Sequence, residues 1–520
     1  MLPQSPFPWQ TAVHPWLKRL EIAFWPMYEH PLTQQAMEGL AQAFRDFGHR
    51  VVERPGPETD VIIASVPYGE NLNWRKAPMF IARRHFRLPR QPFIWAILAV
   101  PPQRIRADLH HLALGIAKDE PDPEHFRYPG LAPNAYITLY EQGRRAGPIL
   151  ALQRLLQSQA KTIRQILIIG DEEPEEAFMF NLVGGYPRIP AHDRDFFYKN
   201  LALRVTTEAS TYEVTQHQVV DEPPIPAEVW RSLETPAAMI RAGMAFGQRN
   251  FFTRMIRVQD LAYVPMLDQV IASQYSEGCF ATWDPKIGAL VSTITGSARP
   301  VDKGKLTEDE LAVIVGVRPD YLGALVRHVE GKRNDPPSSE AVELYDMDRP
   351  LPRIRWQGYE VPVARSKLHS HRGVASFDPK VVEFAPLDPA YYFFPVSCST
   401  AAQALAVRAA FGRAQSLRNP DDPRRIVFTV LPGHGVVLAE KWVPGKEPFQ
   451  VLWEAMDRGE IQISRYVPQG PYGYELDPET GRMVLREEGI GGLEPLGPLG
   501  VFPDMVEQLD EHVLAVLQRP

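Results

Sequence analysis

The stretch Leu20–Pro67, "LEIAFWPMYEHPLTQQAMEGLAQAFRDFGHRVVERPGPETDVIIASVP", decides the fold class. Leu20–Met27 is a short apolar run of strand type. Leu32–Gly48 spaces its apolar residues three and four apart and closes on Gly48, which reads as a helix with its stop. His49–Pro55 and Thr59–Pro67 are again β-rich, and Gln91–Val100 adds another such run. Strand, helix and strand at this interval predict parallel strands joined by right-handed crossovers. Further on, Gly147–Ile163 reads as a helix leading into a buried strand that ends at Gly170-Asp171, where Asp171 suits a helix N-cap or a ligand contact. The expectation is an α/β chain of several domains: Rossmann-like α/β portions over 1–190, a mixed middle over 191–340 and a β-rich C-terminal domain over 341–520.

In the middle, Leu201–Val220 alternates in the manner of a hairpin or edge strands. After the break at Asp221–Pro226, Ala227–Gln248 and Leu261–Gln274 read as helical. From about residue 350 the strands return in Arg353–Ala364, Gly373–Asp378, Ala390–Ser397, Arg425–Leu431 and Gly435–Val443, before a closing helix over Phe502–Gln518. Residues 335–350 read as linker.

A chain of 520 residues exceeds one compact core, and its 44% hydrophobic and 23% charged content is that of globular proteins. A formal net charge of -7 argues against a nucleic-acid partner. Two cysteines, Cys279 and Cys398, are too few for a disulfide scaffold and point to a reducing, cytoplasmic setting. The first residues lack the basic start and apolar core of a signal peptide, and no apolar run is long enough to span a membrane. The 51 prolines, about twice the usual share, fall between elements and stiffen loops. A small-molecule substrate is the expected partner, and a homo-oligomer is compatible with the composition.

Four segments carry residues suited to chemistry. In Ser276–Gly304, Glu277 and Asp284 are hard oxygen ligands suited to Mg²⁺ or Mn²⁺ and to proton transfer, and an exposed Trp283-Asp284-Pro285 is expected. Arg299 and Lys303 follow in a Gly/Ser loop that would bind an anion, ahead of a helix expected from the capping pair Thr307 and Glu310. In Arg365–Gly373, His369 and His371 alternate, so on a strand both rings face one side and could serve one metal, with Arg372 as an anion contact. In Phe394–Ala414, Thr400 and Gln403 form a capping pair. Cys398, Ser399 and Thr400 would therefore sit at a helix N-terminus, where a thiol gains acidity and anions are favoured. His434 lies between Gly433 and Gly435 in a tight turn with its ring expected to project outward.

Cys279–Gly296, "CFATWDPKIGALVSTITG", resembles the metal-site segment of the L-fucose/L-arabinose isomerase family, in which a cysteine and acidic run precedes a Gly-Ala-Leu segment and a glycine turn. Asp284, Gly288, Ala289 and Leu290 match, whereas Phe280 stands where the family has glutamate and Asp284 stands two residues late. The resemblance covers fewer than twenty residues. It implies a metal-assisted sugar isomerase or lyase in which Asp284 and Glu277 hold Mn²⁺ or Mg²⁺ with His369, His371 or His434 completing the site. The alternatives are a metal-free enzyme binding a phosphorylated or carboxylated small molecule at the Gly296–Lys305 loop and the helix after Cys398, and a non-catalytic binding protein; Cys398 is also a candidate catalytic thiol, for which His369 or His371 would have to serve as base.

Overall fold

A computed structural model of the chain describes residues 19–26, 31–67, 93–99, 165–169, 176–181, 186–190, 198–199, 201–202, 205–206, 209, 215–249, 251–252, 278–295, 301–388, 391, 399–464, 467–468 and 472–487. The helices expected over Gly147–Ile163, Leu261–Gln274 and Phe502–Gln518 lie outside the described residues, as do Asp171 and the run Ala390–Ser397 apart from Tyr391.

The leading strands are β1 (Glu21–Pro26), β2 (Arg50–Val52), β3 (Val61–Pro67), β4 (Phe93–Ala99), β5 (Gln165–Ile169), β6 (Glu176–Asn181) and β7 (Tyr186–Pro190), with helix α1 (Pro31–Asp46) between β1 and β2. They form one sheet in the order β2-β1-β3-β4-β5-β6-β7. The first five are mutually parallel, as expected, in the 2-1-3-4-5 order of a doubly wound sheet. β6 and β7 are antiparallel additions. Helix α1 buries Ala36, Leu40, Ala43 and Phe44, and Phe47 is buried just after its end, the spacing read in the sequence.

The hairpin expected within Leu201–Val220 is replaced by helical backbone at residues 201, 202, 205, 206 and 209. Leu201, Val205 and Ala209 are buried four residues apart, so burial on one helical face overrides the local alternation. Among the described residues of that segment the strand is β8 (Gln218–Val219), which forms an edge of the second sheet, in keeping with the edge strand also expected there.

A second sheet has nine strands in the order β17-β18-β19-β15-β9-β10-β11-β12-β8. Its members include β9 (Cys279–Asp284), β10 (Ala289–Thr293), β11 (Leu311–Val317) and β12 (Ala324–Arg327). After the hairpin β13 (Arg353–Trp356) and β14 (Tyr359–Pro362) come β15 (Ala364–Ser370), β16 (Gly373–Phe377), β17 (Val382–Phe384), β18 (Ile426–Leu431) and β19 (Gly435–Lys441). A smaller sheet joins β16 to β20 (Ile461–Ser464), β21 (Tyr472–Leu476) and β22 (Met483–Glu487). The nine-stranded sheet thus takes strands from both sides of residue 341.

Successive strand residues point to opposite faces, and both faces of this sheet are covered. Phe280, Val291, Leu368 and Leu438 pack against α2 (Ala227–Arg231), α3 (Thr235–Gln248) and α7 (Gln450–Asp457), around a group of phenylalanine rings that includes Phe246, Phe252 and Phe449. Cys279, Ala281, Trp283, Val437 and Ala439 pack on the other side with α4 (Ala341–Asp346) and α5 (Ala401–Arg413), which is followed by the short α6 (Gln415–Arg418). Residues 335–350, read as linker, carry the buried α4. Its Ala341, Val342 and Leu344 are apolar enough to cover a sheet, although Pro336, Pro337 and Pro350 frame them. The capping pair at Thr307 and Glu310 exists, but it opens only a three-residue 3-10 turn before β11, because the apolar run Leu311–Val317 pairs with β10 and β12. Among the described residues no helix is long and apolar enough to cross a membrane.

Candidate metal centre

β15 lies between β9 and β19, and the register sets His369 opposite Cys279 on one neighbour and Val437 on the other. Residues opposite each other share a face, so His369 points to the side covered by α4 and α5. His371, two residues on, keeps the same side. His434 reaches it from the turn that joins β18 to β19. The ring centroids of His369 and His434 are 4.5 Å apart, those of His371 and His434 5.1 Å, and those of His369 and His371 5.3 Å. Each imidazole offers a nitrogen within 4.8 Å of the others, and the group could hold a metal ion. His369 and His434 are buried and His371 is half-buried.

Two glycines let the flanking strands close on this point. A Cβ on Gly435 would stand 2.0 Å from the Ser370 carbonyl oxygen and 2.9 Å from His371 Cα. Gly278, at φ +78°, comes from the other side, and a Cβ there would stand 2.5 Å from the His369 carbonyl oxygen.

Two carboxylates from α4 lie alongside. Glu340 is the N-cap residue and Glu343 lies one turn on, so both fall on one helical face. Ser399 donates to Glu340 Oε1 at 2.5 Å, and Ser338 and Ser339 donate to Oε2 at 2.7 and 3.3 Å. Ser399 adopts φ +59°, a costly conformation outside glycine, immediately before the α5 N-cap Thr400. Burial pushes the Glu340 carboxyl up, but the charges of His369 and His434 and the hydroxyl bonds outweigh it and hold the group below the usual carboxylate range. Glu343 is fully buried. Gln403 Nε2 donates to its Oε2 at 2.6 Å, while Oε1 lies 3.9 Å from His369 Nδ1. Burial raises the Glu343 carboxyl to about 8, opposed by the Gln403 bond and reinforced by the charge of Glu340.

The other expected site residues take different places. Asp284 is buried at the far end of β9, five residues and about 17 Å along the strand from the position opposite His369. Its Oδ1 accepts from the amides of Lys286 and Ile287, so it shapes the turn into β10 and is not a ligand of this centre. Trp283-Asp284 is buried, not exposed, because the opposing sheet residues and α4 cover it. His434 likewise points inward, since its turn folds against the end of β15.

Arg372 alternates to the opposite face, where it donates to the Phe251 carbonyl at 3.2 Å and offers no anion site beside His371. Lys303 is buried in a short turn packed on α3, away from solvent anions, and its charge acts on the Cys279 thiol. Burial, followed by Glu340 and Glu343, pushes that thiol well up, so Cys279 is a neutral small residue against the centre. Thr400 caps α5 through the Gln403 amide at 3.3 Å, but the Gln403 side chain turns to Glu343. Ser399 is held by Glu340. Glu277, Arg299 and Cys398 lie outside the described residues.

Sequence reasoning missed Glu340 and Glu343, and read Gln403 only as part of a cap. The signal was Ser338-Ser339 followed by two glutamates three residues apart, the pattern of a helix start with an acidic face. No family model, no curated protein and no solved structure matches the chain, so the centre is interpreted from its own chemistry.

Proposed function

We propose that the chain is a metal-dependent enzyme, of isomerase or lyase type, acting on a small polyhydroxylated metabolite, with His369, His371 and His434 as metal ligands. The observation that carries this reading is the convergence of three imidazoles at the end of β15 beside the buried Glu343 and the half-buried Glu340. Three nitrogen ligands leave open positions for substrate oxygens or water. Imidazole donors suit Zn²⁺, Fe²⁺, Co²⁺ or Ni²⁺, accept Mn²⁺ and select against Mg²⁺, so the Mn²⁺ or Mg²⁺ expectation narrows toward a transition ion. Such an ion would polarise a hydroxyl or carbonyl oxygen. Glu340 supplies a fixed negative charge facing the imidazoles, and a carboxylate of the Glu340–Glu343 pair would carry the proton between adjacent substrate carbons.

The test is elemental analysis of the purified full chain beside His434→Ala and Asp284→Asn. Stoichiometric transition metal in the wild type, lost in His434→Ala and kept in Asp284→Asn, is the expected result. Absence of metal from the wild type, together with no thermal shift on adding Zn²⁺, Co²⁺ or Mn²⁺, would overturn the proposal.

A further inference from the structure

We infer that Glu343, clamped by Gln403, is the positioning residue of the three-histidine centre: it takes the Nδ1 proton of His369 in a hydrogen bond and so commits Nε2 to the metal. This inference rests on the metal reading above and assigns an orienting device within it. Three observations carry it.

Glu343 is fully buried, and among the described residues one of its two oxygens is hydrogen-bonded: Oε2 accepts from Gln403 Nε2 at 2.6 Å, whereas Oε1 has no hydrogen-bond partner among them. That second oxygen is the one 3.9 Å from His369 Nδ1, about 1 Å beyond hydrogen-bond distance. A buried carboxylate oxygen left without a donor is costly, and a small rotation of the imidazole gives it one. Finally, the clamp comes from a different element than the ring it addresses. Gln403 sits in the first turn of α5, its backbone amide held by Thr400 Oγ1, so α5 fixes the carboxylate while β15 fixes the histidine.

The chemistry follows from tautomers. A neutral imidazole carries one proton, and a metal takes the other nitrogen. An acceptor at Nδ1 holds the proton there, frees Nε2, and strengthens it as a donor; partners of this kind affect metal affinity by about 10–100-fold when removed. Glu340 already accepts serine hydroxyls at both oxygens, whereas Glu343 keeps Oε1 for the imidazole.

The experiment is Co²⁺ titration of the full chain followed by visible absorption, comparing wild type, Glu343→Ala, Glu343→Gln and Gln403→Ala. Glu343→Ala is expected to weaken Co²⁺ binding about 10–100-fold and to change the position or intensity of the d–d bands. Glu343→Gln, which keeps an acceptor oxygen without charge, should recover part of the affinity, and Gln403→Ala should lose less than Glu343→Ala in the same direction. Wild-type affinity and bands in Glu343→Ala would overturn the inference while leaving the metal reading intact. Wild-type protein that shows no Co²⁺ bands would overturn both. Where Glu343→Ala does not fold, the other two variants decide, and unchanged spectra in both overturn the assignment.

Discussion

Replacing Gly435 by alanine is the sharpest probe of how the sheet builds the centre. The added Cβ would stand 2.0 Å from the Ser370 carbonyl oxygen and 2.9 Å from both Ser370 carbonyl carbon and His371 Cα. All three are backbone atoms of the segment that carries His369 and His371, so no side chain can swing aside. Ordinary contact requires β15 and β19 to part by about 1.4 Å at this point, and overpacking of this kind costs about 1–3 kcal/mol. Functional constellations tolerate about 0.5 Å of misplacement. If the parted strands must close again to bring His434 to His369 and His371, the strain is charged against metal binding. The affinity should then fall about 5- to 150-fold. Calorimetric titration of Zn²⁺ into the full chain measures it. The control is Gly445→Ala, beyond the opposite end of β19, at φ +72° with open space around it, which costs about 1 kcal/mol of backbone strain and touches nothing near the histidines. Wild-type affinity in Gly435→Ala would refute the reasoning, as would equal losses in the two variants, since the effect would then be one of general stability.

Two further predictions concern buried groups away from the centre. His49 accepts from the Leu20 amide through Nδ1 at 3.0 Å and, because Thr206 donates its hydroxyl to Ala202, donates through Nε2 to Thr206 at 2.8 Å; burial, aided by the charge of Arg19, lowers its pKa to about 3. With the unfolded value at 6.5, the unfolded chain takes up the proton first as pH falls, so this stability is complete above pH 6.5 and declines toward pH 3, by about 2 kcal/mol at pH 5. Urea unfolding at pH 7 and pH 5 should show His49→Asn losing less than wild type by that amount, and equal losses would contradict the assignment. Lys441, buried, points its ammonium at the carbonyl oxygens of Ser416, Asn419, Pro420 and Asp422 at 2.8–3.4 Å and acts as a tethered cation for that loop. Lys441→Ala should cost about 3 kcal/mol, with part of it restored by K⁺ or NH₄⁺ and none by Li⁺ in thermal melts; identical melts in the three salts would dismiss the cation role.

The sequence was informative wherever a pattern is local. The 3.6-residue spacing over Leu32–Gly48 and the apolar runs either side of it gave α1 and the parallel strands. The alternation of His369 and His371 gave a shared face before any partner strand was known. What escaped is what depends on pairing across the chain. Nothing local says that β19 lies beside β15, and only that pairing turns His434 inward. Asp284 was assigned to the centre for a related reason. Asp284 is near Cys279 in sequence, but the strand carries it away at about 3.3 Å per residue, whereas α4 brings Glu340 and Glu343 back over the sheet. Leu201–Ala209 shows the reverse error, where short-range alternation lost to burial at helical spacing.

The polar seam between α4 and α5 carries groups that stability alone does not call for. Glu340 is matched to Ser399, Glu343 to Gln403 and Asp346 to Arg408, so three acidic residues at intervals of three meet α5 along its length. Burial opposes ionisation at each of the three. On the same face of β15 as His369, Lys367 is fully buried against Asp348, a pair whose members burial also pushes toward neutrality. Replacing such groups with apolar residues of similar volume is commonly neutral or stabilising, so a helix whose sole task was to cover the sheet would gain nothing from them. The seam places its costliest carboxylate, Glu343, where the sheet presents His369, and the strained Ser399 where Glu340 needs a donor. Strain at Ser399 and buried ionisable groups meeting at the three-histidine cluster favour the metal centre proposed above over a purely structural layer.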